Sequence, residues 1–480
     1  MVKECSPSLN RDSCASDTSV QIVDFSDNDP ENPFNWPRWR KWTIAGLVTV
    51  ATFMGNYGTI TIVPAVPGIL HDFDATNSDF YLTFLVSIWE LGEAVGQFFV
   101  GPAAERFGRM PVFLVGNALF TLCSVGSALS VSVEMLTAFR FLNGCVNSTL
   151  TLSPNIIGDL FAPEHRGRAM AISVAVPLLG PFVAPVIGSY VNASMGWRWT
   201  VWVVVLVMAT VTGLSCISFK ETYKVKILQR RTDTLQRAST EEHFRSKYEA
   251  EQTGVKGILL STIRPASMLF SCPKLFLVAM FNGLTYGISY LILTTLASVL
   301  QDVYHFDDGD IGNAYLARAL GNVIAMLFYG LTSDRYLKHM QKKHGSSKPS
   351  HRLLHMLISS ILLPVGLILY GWTARSTVHW VVPLIGTAIV GCSMILSMLP
   401  TNNYLVDTYE VHGASAVAAA MIVMSFSGTF FPLIGSPLYR SALGLGWGNS
   451  VLALITVLFI PPLALVLRSG SRSKSEGNFA

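Results

Sequence analysis

The sequence predicts an all-α membrane protein: twelve transmembrane helices arranged as two six-helix bundles. Three observations predict it. Of 480 residues, 51% are hydrophobic and only 13% are charged, against about 25% charged in ordinary soluble domains. Apolar stretches long enough to cross a hydrocarbon core about 30 Å thick recur along the chain. The two halves of the chain also echo each other. Gly101–Phe107 reads GPAAERF and Gly330–Tyr336 reads GLTSDRY, while Pro185–Ser189 reads PVIGS and Pro432–Ser436 reads PLIGS. Matches at such similar offsets point to parallel repeats with a central site between them.

Taken in order, residues 1–41 read as a polar, disordered tail without the apolar core of a signal peptide. Trp36, Trp39 and Trp42, interleaved with Arg38, Arg40 and Lys41, mark a membrane interface and place this end in the cytosol. Six spans follow at about 42–70, 80–103, 110–130, 135–158, 169–191 and 200–219. Residues 220–272, with KVKILQRR and EEHFRSKYEAEQ, form a charged central loop. Six more spans lie at about 275–300, 311–332, 353–374, 378–402, 414–439 and 449–467, before a cytosolic tail at 469–480. The bundles are therefore expected at 42–219 and 273–468. Lys and Arg test this division. Arg106, Arg109, Arg335, Lys338 and Lys342 fall in the short loops expected inside, whereas the loops expected outside hold HDFDATNSD and QDVYHFDDGD. The positive-inside rule is satisfied with both termini cytosolic.

The net charge of +4 thus speaks to topology and not to nucleic acid. Seven cysteines show no metal-ligand spacing and read as unpaired. No phosphate-binding loop, nucleophile elbow or metal cluster occurs, so neither an ATP-driven pump nor a membrane enzyme is supported, and no cofactor is expected.

The residues that carry chemistry lie inside the spans. Glu90, Glu93 and Gln97 in the second span are spaced i, i+3, i+7 and share one helical face. A carboxylate at that depth costs on the order of 3 kcal/mol on insertion scales, so it faces a cavity or a partner. Two carboxylates one turn apart in a low dielectric cannot both ionise cheaply, which suits a proton carrier. The same spacing recurs at Arg140, Asn143 and Asn147 in the fourth span and at Tyr315, Arg318 and Asn322 in the eighth. Arg140 is a candidate partner for the ionised glutamate; a static ion pair that only positions helices is the competing reading. In GPAAERFGR, Gly101 and Gly108 permit close backbone approach, Glu105 can accept from a helix N-terminus, and Arg106 and Arg109 can reach the other bundle. With Asp334 and Arg335 of the partial copy, this reads as a conformational latch. PLLGPFVAPVIGS in the fifth span places Gly180, Pro181, Pro185 and Gly188 on a bent, tightly packed helix. Asn56, Tyr57, Tyr286 and Tyr290 are further candidates to line a cavity.

These motifs resemble those of the major facilitator superfamily, and more narrowly the fungal twelve-helix drug:proton antiporters. GPAAERFGR is similar to the superfamily's loop motif, with Glu105 where many members have Asp. LTAFRFLNG, residues 136–144, resembles the fourth-helix motif, whose arginine, here Arg140, the resemblance implicates in proton transfer. GPFVAPVIGS is similar to the fifth-helix antiporter motif, with Ser189 replacing a glycine. WELGEAVG, GWRWTVW, ETYKVKIL and YLVDTY also look like the fungal group. Two departures stand out: Met424 lies near where many relatives carry an arginine, and Gly96–Phe98 where many have GPL.

The resemblance implies proton-coupled export of a small amphipathic organic compound by a monomer in a lipid bilayer, expected at the plasma membrane. The alternatives are a nutrient symporter or uniporter on the same fold, and a non-transporting membrane sensor.

Overall fold

The computed structural model describes residues 21–26, 29–75, 79–161, 163–238, 244–246, 264–344, 349–409, 413–440 and 444–469. Residues 1–20, the 239–243 and 247–263 stretches of the central loop and the 470–480 part of the last tail, all assigned from sequence, therefore lie outside the described residues. The first bundle is built from α1 (Arg38–Ile60), continued through a 3₁₀ turn into α2 (Val66–Asp72), α3 (Asp79–Phe107), α4 (Arg109–Ala128), α5 (Val133–Asn147), α6 (Ser153–Leu160), α7 (Pro163–Met195) and α8 (Trp197–Ser218). The central segment holds α9 (Lys224–Ala238) and a short helix α10 at 264–271. The second bundle comprises α11 (Pro273–Tyr304), α12 (Asp308–His344), α13 (Leu354–Thr373), α14 (Val381–Tyr409), α15 (Gly413–Arg440), α16 (Gly444–Leu458) and α17 (Ile460–Ser469). Within the first bundle α3 packs on α5 and α1 on α7; within the second, α11 packs on α15 and α13 on α14. The bundles meet chiefly along α3 against α15 and α7 against α12.

Ten helical stretches among the described residues are long and apolar enough to cross a membrane. The two expected spans not among them have physical reasons. α3 is long enough, but Glu90, Glu93 and Gln97 dilute its apolar character. The expected span at 135–158 breaks into α5, a 3₁₀ turn at Ser148–Leu152 and α6, where Ser148, Thr151 and Ser153 hydroxyls bond back to carbonyls three residues earlier.

Helices in hydrocarbon gain little from apolar attraction and associate where small residues let backbones approach. Gly92 and Gly96 do this. A Cβ on either would collide with the backbone of α5 at Phe141 and Cys145. The repeat copies the device: Gly321, at the same offset as the GPAAERF and GLTSDRY pair, packs on the Ala388 backbone of α14.

The segment read as a tail is ordered in part. β1 (Gln21–Val23) pairs in parallel with β2 (Phe244–Ser246) of the central loop. Asp29 accepts a 2.6 Å ion pair from Arg231 of α9, and Lys224 lies over the Phe34 ring. Trp36 is accordingly buried, its indole donating to the Pro30 carbonyl, while Trp39 is 71% exposed and fits the interface role expected of all three tryptophans. Composition alone reads residues 1–41 as disordered because these partners lie about two hundred residues away.

Candidate functional site

Between the bundles lies a central cavity of about 350 Å³. The stripe on α3 faces it: Glu90, Glu93 and Gln97 all line its wall. Glu90 is 3% exposed and accepts a 3.2 Å hydrogen bond from the Tyr286 hydroxyl of α11, a contact between the two bundles. Tyr290 stacks on Tyr286 with 5.1 Å between ring centroids and faces the same carboxyl. Glu93 accepts from Asn147 Nδ2 at 3.3 Å. Asn56, Tyr315, Arg318 and Asn322 complete the polar lining predicted from sequence.

Arg140 sits differently from expectation. Its guanidinium donates to three backbone carbonyls, those of Leu85 at 2.6 Å, Thr59 at 2.7 Å and Gly58 at 3.4 Å, and lies 4.9 Å from the centre of the Trp89 ring. It therefore ties α5 to α1 and α3 and faces Glu90 through space, with no carboxylate in ion-pair contact among the described residues. With Asn143 it lines a separate small void of about 20 Å³. Asn143 is tied up by Ser124 and Ser127. Tyr57 also stays out of the central cavity, stacked on Phe53.

The fifth-helix motif acquires a local explanation. Pro181 has no N–H, so the Pro177 carbonyl one turn earlier is left without its helical donor. Asn56 Nδ2 supplies one at 3.2 Å. Gly180 brings α7 within close reach of the Phe53 carbonyl on α1, and Gly188 does the same at Thr61. Pro177, Pro181 and Pro185 line the cavity.

The charged turn divides into two parts. Gly108 has φ of +100°, a conformation that a side chain disfavours, and the Glu221 carboxylate lies directly over its Cα. Glu221, not Glu105, caps the adjoining helix: its Oε1 accepts from the backbone N–H groups of Arg109, Thr222 and Tyr223. A carboxylate from the loop after α8 reaches the start of α4 more directly than one on the preceding helix, whose side chain points back along α3. Arg109 pairs with Asp159 at 2.6 Å and lies over Tyr223. The second half has a matching pair, Arg352 to Asp407 at 2.5 Å. Gly101 meets open space and makes none of the close approach expected of it, while Glu105, Arg106 and Arg335 are exposed. The side chain of Asp334 lies outside the described residues. Away from this basic end the bundles close on each other: Gly312 packs on Ser189, and the Tyr190 hydroxyl donates to Asn313.

Sequence reasoning marked Met424 as a departure but missed the methionine surface it belongs to. Met394, Met398, Met421 and Met424 line the second-bundle wall. Met424 Sδ accepts from Asn282 Nδ2 at 2.9 Å, and Met394 Sδ from the Ser289 hydroxyl at 3.2 Å. Only their coincidence on α14 and α15 shows them as a surface, and no spacing within one helix announces it.

Two helical bundles packed on each other around a shared central cavity form the frame of a multi-pass membrane transporter. Its family is the Major Facilitator Superfamily, to which the chain belongs: the superfamily's sequence profile matches residues 47–432. The chain is 38% identical to the MFS-type transporter atr4 of Stereocaulon alpinum over 442 residues, covering 92% of this chain and 80% of that one. It is 35% identical to the efflux pump radE of Floropilus chiversii over 464 residues, covering 95% and 86%. The crystal structure of a D-xylose–proton symporter superposes with a TM-score of 0.67 at 14% identity, covering 87% of this chain and 97% of that one, a likeness of fold.

Proposed function

We propose that this transporter exports a small amphipathic organic compound, such as a drug, toxin or secondary metabolite, in exchange for protons. The observation that carries the reading is the carboxyl pair Glu90 and Glu93 on the cavity wall, one member bonded across the bundle interface to Tyr286. The efflux pump among its relatives supports the outward direction. The basic end is taken as cytosolic, with both termini there, in the plasma membrane and as a monomer, and the halves divide at 42–219 and 273–468.

Exchange requires that the cavity reorient only when protonated or when loaded. In the conformation closed at Gly312 and Ser189, an ionised Glu90 receives a charge-assisted bond from Tyr286, which holds the bundles in place. Cargo seated against Tyr286 and Tyr290 competes for that hydroxyl and frees the bundles to rock. After release on the far side, a proton taken up by the carboxyl pair removes the charge that would otherwise have to cross an apolar interface. Arg140, fixed by three carbonyls, acts on Glu90 by its field and by holding α3 against α1 and α5. Gly101, Glu105, Arg106, Gly108, Arg109, Asp334 and Arg335 form the latch that engages the facing bundle when the basic end closes.

The test is flux of amphipathic dyes into inside-out vesicles containing the full chain. Accumulation driven by an acid interior is the expected result. Accumulation driven by an acid exterior, the nutrient-symport outcome, or flux indifferent to the gradient would overturn the reading.

A further inference from the structure

The two halves of the cavity are unequal in charge. On the first-bundle side stand the carboxyl groups of Glu90 and Glu93, with the Arg140 guanidinium behind them on backbone carbonyls. On the second-bundle side stands Arg318, 6% exposed and on the cavity wall. Its guanidinium donates to the Ser289 carbonyl at 2.9 Å and to the Ser289 hydroxyl at 2.6 Å, and touches Met394 Sδ at 3.7 Å. The hydroxyls of Tyr315, Tyr290 and Tyr286 lie near it, and Tyr315 donates its own proton to the Leu293 carbonyl. Among the described residues no carboxylate pairs with it. A buried guanidinium without a counter-ion is costly, and neutral hydroxyl and carbonyl partners offset only part of that cost.

The surfaces around Arg318 are soft and aromatic. Met394, Met398, Met421 and Met424 supply polarisable thioethers that adapt to flat ligands. The stacked pair Tyr286 and Tyr290 supplies a ring face at an interplanar angle of 29°.

We propose that the cargo is a planar aromatic organic acid, its carboxylate held by Arg318 and its rings lying between the tyrosine pair and the methionine wall. This rests on the export reading, since it names the substrate class of that same cavity. Arg318 is then the counter-ion for the cargo and the glutamates the site for the exchanged proton, so the two charges need not compete for one residue. A guanidinium binds a carboxylate through two parallel N–H···O bonds, whereas the corresponding carboxamide is neutral and offers one acceptor oxygen.

The experiment is calorimetric titration of the purified full-length protein at one neutral pH with anthracene, pyrene and biphenyl carboxylates, each paired with its own carboxamide. The acids are expected to bind about tenfold or more tightly than the amides. Arg318→Gln should erase that preference, and Arg318→Lys, which keeps the charge but loses the planar fork, should retain part of it. Wild-type acids and amides binding alike, no binding by any acid, or an acid preference surviving Arg318→Gln would overturn the proposal. The wild-type comparison stands even if a variant fails to fold. No gradient enters this measurement. Acid preference without pH-driven flux would therefore sink the exchange reading alone, and flux without acid preference would sink the substrate class alone.

Discussion

Replacing Tyr286 by Phe removes one hydroxyl and little volume, and the structure sets what that hydroxyl is worth. It spans the bundles at 3.2 Å from Glu90, longer than the usual 2.7–2.8 Å for an O–H···O bond. A bond of that length falls just short of the 1.5–3 kcal/mol typical of charged acceptors, at about 1–1.5 kcal/mol. Tyr290 remains beside the carboxyl, so Glu90 keeps a neighbouring donor. The conformation closed between Ser189 and Gly312 should therefore lose about five- to tenfold in population relative to the opposite one. Spin labels at Ser194→Cys and Asp307→Cys, exposed positions flanking that seam, in a background without the native cysteines, read the two populations as distances. The ratio of long-distance to short-distance populations should rise by that factor in Tyr286→Phe. A distribution unchanged to within twofold would refute the view that this contact holds the bundles together.

Helix contacts give a second prediction. Gly92→Ala and Gly321→Ala drive a Cβ into the backbones of α5 and α14 and should cost about 1–3 kcal/mol, seen as a lower melting midpoint in detergent. Gly101→Ala meets open space and should leave the midpoint unchanged or raised, since alanine favours a helix by up to about 1 kcal/mol; a loss there equal to Gly92→Ala would contradict the packing. A third concerns the clasp between Asp29 and α9. The Glu31 backbone N–H, and then Arg231, hold the Asp29 carboxyl below the ordinary carboxylate range against the opposing effect of burial. A depressed folded-state value means the stabilisation is fully present above the unfolded value, about 3.9, and is lost as pH falls through the folded one. Because Arg231 is 39% exposed, the pair is discounted for screening to about 1 kcal/mol. Tryptic cleavage in α9 at neutral pH should thus quicken about fivefold in Asp29→Asn, and an unchanged rate would dismiss the clasp.

What was legible in the sequence follows helical periodicity. Glu90, Glu93 and Gln97 could be placed on one face because i, i+3 and i+7 coincide there, and the same rule brought Tyr315, Arg318 and Asn322 to the cavity. It failed for Arg140 and Asn143 because periodicity gives a face but not its neighbour, and Arg140's partners are backbone carbonyls, which leave no mark in a sequence. The same limit hid Glu221, whose role depends on the loop after α8 folding back to Gly108. Arg109 with Asp159 and Arg352 with Asp407 were within reach, since each arginine begins the third span of its half and each aspartate ends the fourth. Met424 stood out only as a departure from its relatives, and Met394, Met398 and Met421 went unremarked because apolar residues on separate helices carry no joint signal.

The central claim is that Glu90 and Glu93 carry the exchanged proton. Its most direct measurement is the pH inside proteoliposomes, followed with a trapped indicator while a transported amphipathic dye moves down its gradient through wild-type protein, Glu90→Gln, Glu93→Gln and the double variant. Wild-type protein should move protons opposite to the cargo. The double variant should still bind the compound and exchange it across the membrane, with the counterflow of protons gone. Proton movement that survives in the double variant at the wild-type ratio would contradict the account.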